Sequence, residues 1–208
     1  MAQEVEIRGP IKDESAIKKV IQEITNGTIV VEPVSQIAVF LKHEGASYVI
    51  RWSEGDSHFE FIYKKKTKDV ENLESREEIT TLIHKSQVSE FLMIMSHLGL
   101  TEGLVSAATR FEFSNDSVSW SFKLNTQVGN YWEAEATPKL GNQLDGDVTQ
   151  ILTKLKEITD PYQLETWTEQ EFKDHYKNAW SGVEYKPMFE IIELLKGRYE
   201  SESNGSAR

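Results

Sequence analysis

The feature that most constrains this chain is a short segment near its start, Glu4-Val5-Glu6-Ile7-Arg8, in which charged and apolar residues alternate without a break. Alternation at period two marks a half-buried strand, because successive side chains leave opposite faces of the pleat. Glu4, Glu6 and Arg8 therefore share one face, and Val5 and Ile7 the other. The segment Tyr131-Trp132-Glu133-Ala134-Glu135-Ala136 repeats the pattern, with Glu133 and Glu135 opposite Trp132, Ala134 and Ala136. On an ordinary sheet such a charged face is simply solvated. The strands between add bases to these acids: Arg51 sits between Ile50 and Trp52, Lys64 and Lys66 share a face, and so do Arg76 with Glu78 and Arg110 with Glu112. If the apolar faces pack on helices, the charged faces are free to line the inside of a curved sheet. Carboxylates that gather there suit a hard divalent cation, whose shell phosphate oxygens can complete, while Lys and Arg neutralise the phosphates directly.

Periodicity and turn residues organise the rest. Pro10 ends the first strand, Asp13 and Ser15 can cap a helix carrying Ile17, Val20, Ile21 and Ile24, and Asn26-Gly27 stops it. Strand-like runs follow at Thr28–Glu32, Gln36–Lys42, Ser47–Trp52, Ser57–Lys66 and Ser75–Ile83. Val88, Phe91, Leu92, Met95 and Leu98 form the stripe of a helix that closes at Gly99. Leu104–Phe113 and Val118–Asn125 predict a hairpin, Asn130–Ala136 a further strand and Pro138–Asp147 a loop. Three helices follow: one on Val148, Ile151, Leu152 and Leu155, one opened by the capping box Thr168-Glu169-Gln170-Glu171, and one after Pro187. The aromatics Tyr162, Trp167, Phe172, Tyr176 and Trp180 are expected to be helix core. Strands grouped with a few helices predict an α+β fold with a mostly antiparallel sheet. The expected division is a core over residues 1–145, helices packed on it over 146–199 and a disordered tail over 200–208.

Composition narrows the partners. A net charge of −11 argues against nucleic acid and anionic membranes, though it leaves room for a local basic pocket. There are no cysteines, so thiolate chemistry is absent, and His43, His58, His84, His97 and His175 lack zinc-type spacing. With neither a signal peptide nor a membrane-length apolar run, a cytoplasmic protein is expected.

The order of these elements resembles the CYTH superfamily, the triphosphate tunnel metalloenzymes that include class IV adenylyl cyclases, thiamine triphosphatases and inorganic triphosphatases. Glu4-x-Glu6-x-Arg8 is similar to its ExExK signature, Arg51 and Tyr63-Lys64-Lys65-Lys66 to its basic strands, and Ser75-Arg76-Glu77-Glu78 to its S-R-x-E element. His97-Leu98-Gly99-Leu100, Arg110 and Leu124-Asn125…Gly129-Asn130-Tyr131-Trp132-Glu133-Ala134-Glu135 continue the likeness over residues 4–135. The resemblance implies an antiparallel eight-stranded β-tunnel with flanking helices. It implies Mg²⁺ or Mn²⁺ on Glu4, Glu6, Glu133 and Glu135, with Glu4, Glu6 and Glu135 catalytic. Arg8, Arg51, Lys64, Lys66, Arg76 and Arg110 would then bind a triphosphate-containing small molecule. The implied activity is a metal-dependent triphosphatase. A class IV-type cyclase making cyclic AMP and a non-catalytic polyphosphate- or nucleotide-binding module are the alternatives, with a homodimer left open. The chain departs from the pattern at Arg8, where the family has lysine, at Val49 and Ala108, where basic residues are expected, and at Asn125, where the family has aspartate.

Overall fold

A computed structural model describes residues 5–43, 46–66 and 76–205. The elements run β1 (Glu6–Pro10), α1 (Ile17–Ile24), β2 (Val34–Leu41), β3 (Ser47–Ser53), β4 (His58–Lys66), β5 (Arg76–His84), α2 (Val88–His97), β6 (Glu102–Ser114), β7 (Val118–Thr126), β8 (Gly129–Ala136), α3 (Pro138–Gln143), α4 (Val148–Thr159), α5 (Glu169–Trp180), β9 (Lys186–Pro187) and α6 (Met188–Gly205). The strands hydrogen-bond in the order β1-β8-β7-β6-β2-β3-β4-β5, with β9 added to β6. The ladders are antiparallel. The expected α+β class and antiparallel sheet are therefore present. The order is open, however: β1 and β5 are its ends, and among the described residues no hydrogen-bonded ladder joins them.

Two local expectations fail for physical reasons. Thr28–Glu32 forms no strand: Ile29 and Val30 are exposed, and the next strand begins only after Pro33. Of its β-branched residues Val31 alone packs on the core, and β-propensity with so little burial does not make a strand. The segment expected as a loop holds α3, which Thr137 caps by accepting a hydrogen bond from Leu140 N, with Pro138 in the first turn where its missing N–H costs nothing. Among the described residues no helix is long and apolar enough to cross a membrane.

The chain makes two compact units. One draws on Met1–Val34 and Ala108–Ser181, the other on Ser35–Ala107 and Gly182–Arg208. In the first, Trp120, Phe122, Trp132 and Ala134 alternate inward from β7 and β8 and meet Ile17, Ile21 and Ile24 of α1 and Ile151 and Leu155 of α4. In the second, Val39, Ile50, Trp52 and Phe59 meet Val88 and Leu92 of α2 and Met188, Ile191 and Leu195 of α6. Each fully buried large side chain contributes roughly 1.5–3 kcal/mol. Each core thus takes one face of its strands, and the period of two assigns the charged residues to the other.

The first unit has one further contact of consequence. The segment before α5 crosses β1 as a strap. Trp167 N donates to Arg8 O at 2.9 Å and Trp132 Nε1 to Glu165 O at 3.0 Å. Lys12 also pairs with Glu165.

Candidate functional site

The register of the first unit places its charged residues in rows. Glu6 lies opposite Glu135, which lies opposite Ser119, and Ser119 opposite Ser114. The next row is Arg8, Glu133, Ser121 and Glu112, and the third is Tyr131, Lys123 and Arg110. Within this face Arg8 pairs with Glu6, Lys123 with Glu133, and Arg110 with Glu112. Ser121 Oγ is buried and finds no hydrogen-bond partner among the described residues.

Lys123 and Glu133 are the electrostatic centre. Their side chains are only 15% and 18% exposed. Burial alone would push the Glu133 carboxyl up, but Lys123, Arg8 and Arg110 together hold it below its ordinary value. Burial would likewise lower Lys123, but Glu133 and Tyr131 together hold it above its ordinary value. Tyr131, with the Lys123 ammonium 5.0 Å from its ring centroid, is pushed up by burial and by Glu133. Both members of the pair are therefore ionised at neutral pH.

The cover over this face comes from α5. The Arg8 guanidinium lies 4.0 Å from the Phe172 ring centroid. Phe172, Tyr176 and Trp180 follow one another at helical spacing, and Trp167 packs on Tyr131, Phe172 and His175. His175 Nε2 lies 2.6 Å from Val128 O, and Gln127 Nε2 donates to Ala179 O at 3.2 Å. No residue of α5 is fully buried. The expectation of helix core therefore holds for Tyr162, which packs on the first unit's core, and not for Trp167, Phe172, Tyr176 and Trp180. These four are half-buried, and Phe172 is committed to Arg8.

The second unit carries a charged face of its own. Arg51 Nε donates to Glu60 Oε2 at 2.5 Å, and Lys64 Nζ lies 2.7 Å from Glu78 Oε2. Lys66 and Arg76 pair in register at the far end of the β4–β5 ladder. Of the residues singled out from sequence, Glu6, Arg8, Arg110, Glu133 and Glu135 share the first unit's face, while Arg51 and Lys64 share the second's. Glu4 and Ser75 lie outside the described residues.

Sequence reasoning missed Lys123 and Ser121. Their signal was present: Ser119, Ser121 and Lys123 alternate with Trp120, Phe122 and Leu124, the same period that exposed the acids on β8. Asn125 has a backbone reason to be asparagine. It sits at φ +56° where the β7–β8 ladder is irregular, is exposed, and its N–H donates to Asn130 Oδ1 at 2.8 Å. Asparagine tolerates that left-handed conformation better than most residues.

The donor set can be tested against a divalent ion. Among the described residues no three His, Asp or Glu side chains gather into a metal cage. Glu6 and Glu135 face one another across the β1–β8 ladder, and Arg8 already supplies a cation to Glu6. Mg²⁺ commonly takes one or two carboxylates and completes its shell with water and substrate phosphates. Glu6 and Glu135 could supply part of such a shell, and the described residues offer no preformed cage.

Comparison with solved structures shows a likeness of fold. A "putative adenylate cyclase" from Vibrio parahaemolyticus matches at 13% identity over 84% of this chain and 98% of that one, with a TM-score of 0.57. HpAC1 from Hippeastrum, described by a dominant triphosphatase activity, matches at 12% identity over 81% and 91%, with a TM-score of 0.51. The fold is CYTH-like. A chain of the Schizosaccharomyces pombe Mediator head module matches equally well, at 11% identity over 79% and 98%, with a TM-score of 0.54. At such identities the likeness is one of fold. No protein-family model and no curated protein sequence matches the chain. The CYTH-like fold therefore rests on structure, and the roles of its charged residues rest on their chemistry.

Proposed function

We propose that this protein binds the triphosphate group of a small molecule on a charged sheet face and hydrolyses it with the help of Mg²⁺ or Mn²⁺. The observation that carries the reading is the first unit's sheet face. There Arg8, Arg110 and Lys123 lie among Glu6, Glu133 and Glu135 in a chain whose overall charge is −11. Local cations on an acidic protein point to an anionic ligand, and neighbouring carboxylates to a cation beside it. The CYTH-like fold, shared with a protein of triphosphatase activity, supports the same class.

In this reading Glu6 and Glu135, with Glu4, hold the ion and orient the attacking water. Arg8 and Arg110 hold phosphate oxygens on the first unit's face, and the anion-binding roles that the resemblance implies for Arg51, Lys64, Lys66 and Arg76 belong to strands of the second unit. The ion supplies charge neutralisation at the phosphoryl group. Phosphoryl transfer is mostly positioning and charge stabilisation, so no covalent nucleophile is needed. The test is phosphate release from tripolyphosphate, ATP and thiamine triphosphate with each metal, and Glu135→Gln is expected to lower it roughly 10²-fold. No release from any of them, across metals and pH, overturns the reading. Cyclic AMP and pyrophosphate as the products from ATP would establish the cyclase alternative instead.

Three uncharged positions favour a second reading, a triphosphate binder without turnover. Val49 is buried in β3, Ala108 stands two residues before Arg110, and Asn125 serves a turn. The likeness to a chain of the Mediator head module is compatible with it. Saturable calorimetric binding of tripolyphosphate with no phosphate released would establish that reading.

A further inference from the structure

The arrangement around Glu133 separates it from Glu6 and Glu135. Its carboxylate accepts from the Lys123 ammonium, and Arg8 and Arg110 both act on it electrostatically. A divalent ion bound there would sit among three unit positive charges. Glu6 and Glu135 occupy the neighbouring row, where the two carboxylates oppose each other and Arg8 pairs with Glu6. The row of Glu133 also contains Ser121, more than nine-tenths buried, whose hydroxyl has no hydrogen-bond partner among the described residues. A hydroxyl in that position can serve a phosphate oxygen as readily as the cations can. On this face β6 offers one cation, Arg110, because Ala108 is the next residue of the alternation. Lys123 lies directly opposite Arg110 and supplies a second.

We propose that Lys123 is a phosphate-binding residue of this site, and that Glu133 is the carboxylate that positions it and not a metal ligand. The inference rests on the triphosphate reading and divides its acids by role: Glu6 and Glu135 serve the cation, and Glu133 serves the anion site. A lysine is a flexible point charge, and a carboxylate that holds it in place before the anion arrives reduces the ordering that binding must impose. A buried ion pair is weak evidence for stability alone, because desolvation offsets its attraction. Its two members remain partly exposed, which leaves them within reach of a ligand.

The experiment titrates the wild type, Lys123→Met, Lys123→Arg, Glu133→Gln, Glu135→Gln and the double variant Lys123→Met/Glu133→Gln. Tripolyphosphate binding is read by calorimetry, and Mn²⁺ binding with tripolyphosphate present by paramagnetic resonance. Lys123→Met is expected to weaken tripolyphosphate binding roughly ten- to hundredfold, the loss of one charge-assisted contact, and Lys123→Arg to restore most of it. Glu133→Gln is expected to weaken the anion and leave Mn²⁺ bound, whereas Glu135→Gln releases Mn²⁺. The double variant leaves no unpaired buried charge, so it reads the anion affinity if Lys123→Met alone fails to fold. Unchanged tripolyphosphate affinity in the lysine variants, or loss of Mn²⁺ in Glu133→Gln, overturns this inference while the function stands. A wild type that binds no tripolyphosphate overturns both.

Discussion

Replacing Gly9 by alanine tests how the first unit holds its strap. Gly9 has an ordinary backbone φ, so torsion is not the reason for a glycine there; space is. A Cβ would lie 1.7 Å from Glu165 O, 2.8 Å from Glu165 C and 2.9 Å from Trp132 Nε1. Two of these are backbone atoms, and the third belongs to a ring that is fully buried. Ordinary contact is about 3.5 Å, so the strap must retreat by roughly 1.5–2 Å. That displacement breaks the bond from Trp132 Nε1 to Glu165 O and strains the one from Trp167 N to Arg8 O. Stranding a buried indole N–H costs about 1–3 kcal/mol, and losing the second bond about 0.5–1.5 kcal/mol. Alanine returns about 0.4–1 kcal/mol by restricting the unfolded chain. The net expectation is a loss of about 1–4 kcal/mol, read as a lower urea midpoint at unchanged slope. Because the strap leads into α5, proteolysis should also cut sooner between residues 163 and 168. A variant within about 0.5 kcal/mol of the wild type, with unchanged proteolysis, would refute the close approach, since surface-like tolerance is incompatible with a backbone clash.

Other expectations follow from the same geometry. Leu155, fully buried between α4 and the sheet, should cost about 2–5 kcal/mol as Leu155→Ala in urea denaturation, and a loss below about 1 kcal/mol contradicts its place in the core. Phe172→Ala removes the ring from the Arg8 guanidinium at a cost of about 0.5–2 kcal/mol, and it should leave tripolyphosphate affinity equal or tighter; weaker binding would show that the ring helps hold the ligand. Glu133 is held below its ordinary 4.5 when folded, so its contribution to stability is complete above that value and is lost as pH falls toward its folded value. Lys123, raised above its ordinary 10.5, contributes fully below that value and loses its contribution as pH rises through the folded one. Glu133→Gln should therefore flatten the acid limb of a stability-against-pH curve, and an unaltered acid limb would contradict the depressed value.

The sheet was legible in the sequence because its two faces differ so sharply. Alternation placed Glu6 with Arg8 and Glu133 with Glu135, and the ladder then set Glu6 against Glu135 and Arg8 against Glu133. Register of that kind depends on which strand lies beside which, and β1 and β8 are separated by more than a hundred residues of chain. Lys123 was overlooked for a related reason. Its alternation with Trp120, Phe122 and Leu124 was read as one arm of a hairpin, and only the pairing of β7 with β8 brings its ammonium to Glu133. The aromatic spacing of α5 predicts a helix, which forms, but the expected core burial does not follow, because helical spacing does not say whether a face meets a core or a charged sheet. Thr28–Glu32 failed in the opposite direction, since β-propensity with Ile29 and Val30 exposed and Val31 alone packed made no strand.

Charge decides more about this molecule than fold does, because the CYTH-like fold accompanies proteins of different descriptions. The first unit's face presents four acids, Glu6, Glu112, Glu133 and Glu135, and three bases, Arg8, Arg110 and Lys123. Each base already has a carboxylate partner. A bare polyanion arriving there must take cations away from carboxylates that would then face one another and the anion. In the proposed reading a divalent ion beside Glu6 and Glu135 would change that balance, compensating the acids so that Arg8 could turn to a phosphate oxygen. Tripolyphosphate affinity should then rise steeply with added Mn²⁺, and Glu135→Gln should remove most of the metal's effect. Affinity that ignores Mn²⁺ would mean that the bases bind the anion unaided, and that the opposed carboxylates of β1 and β8 serve the fold alone.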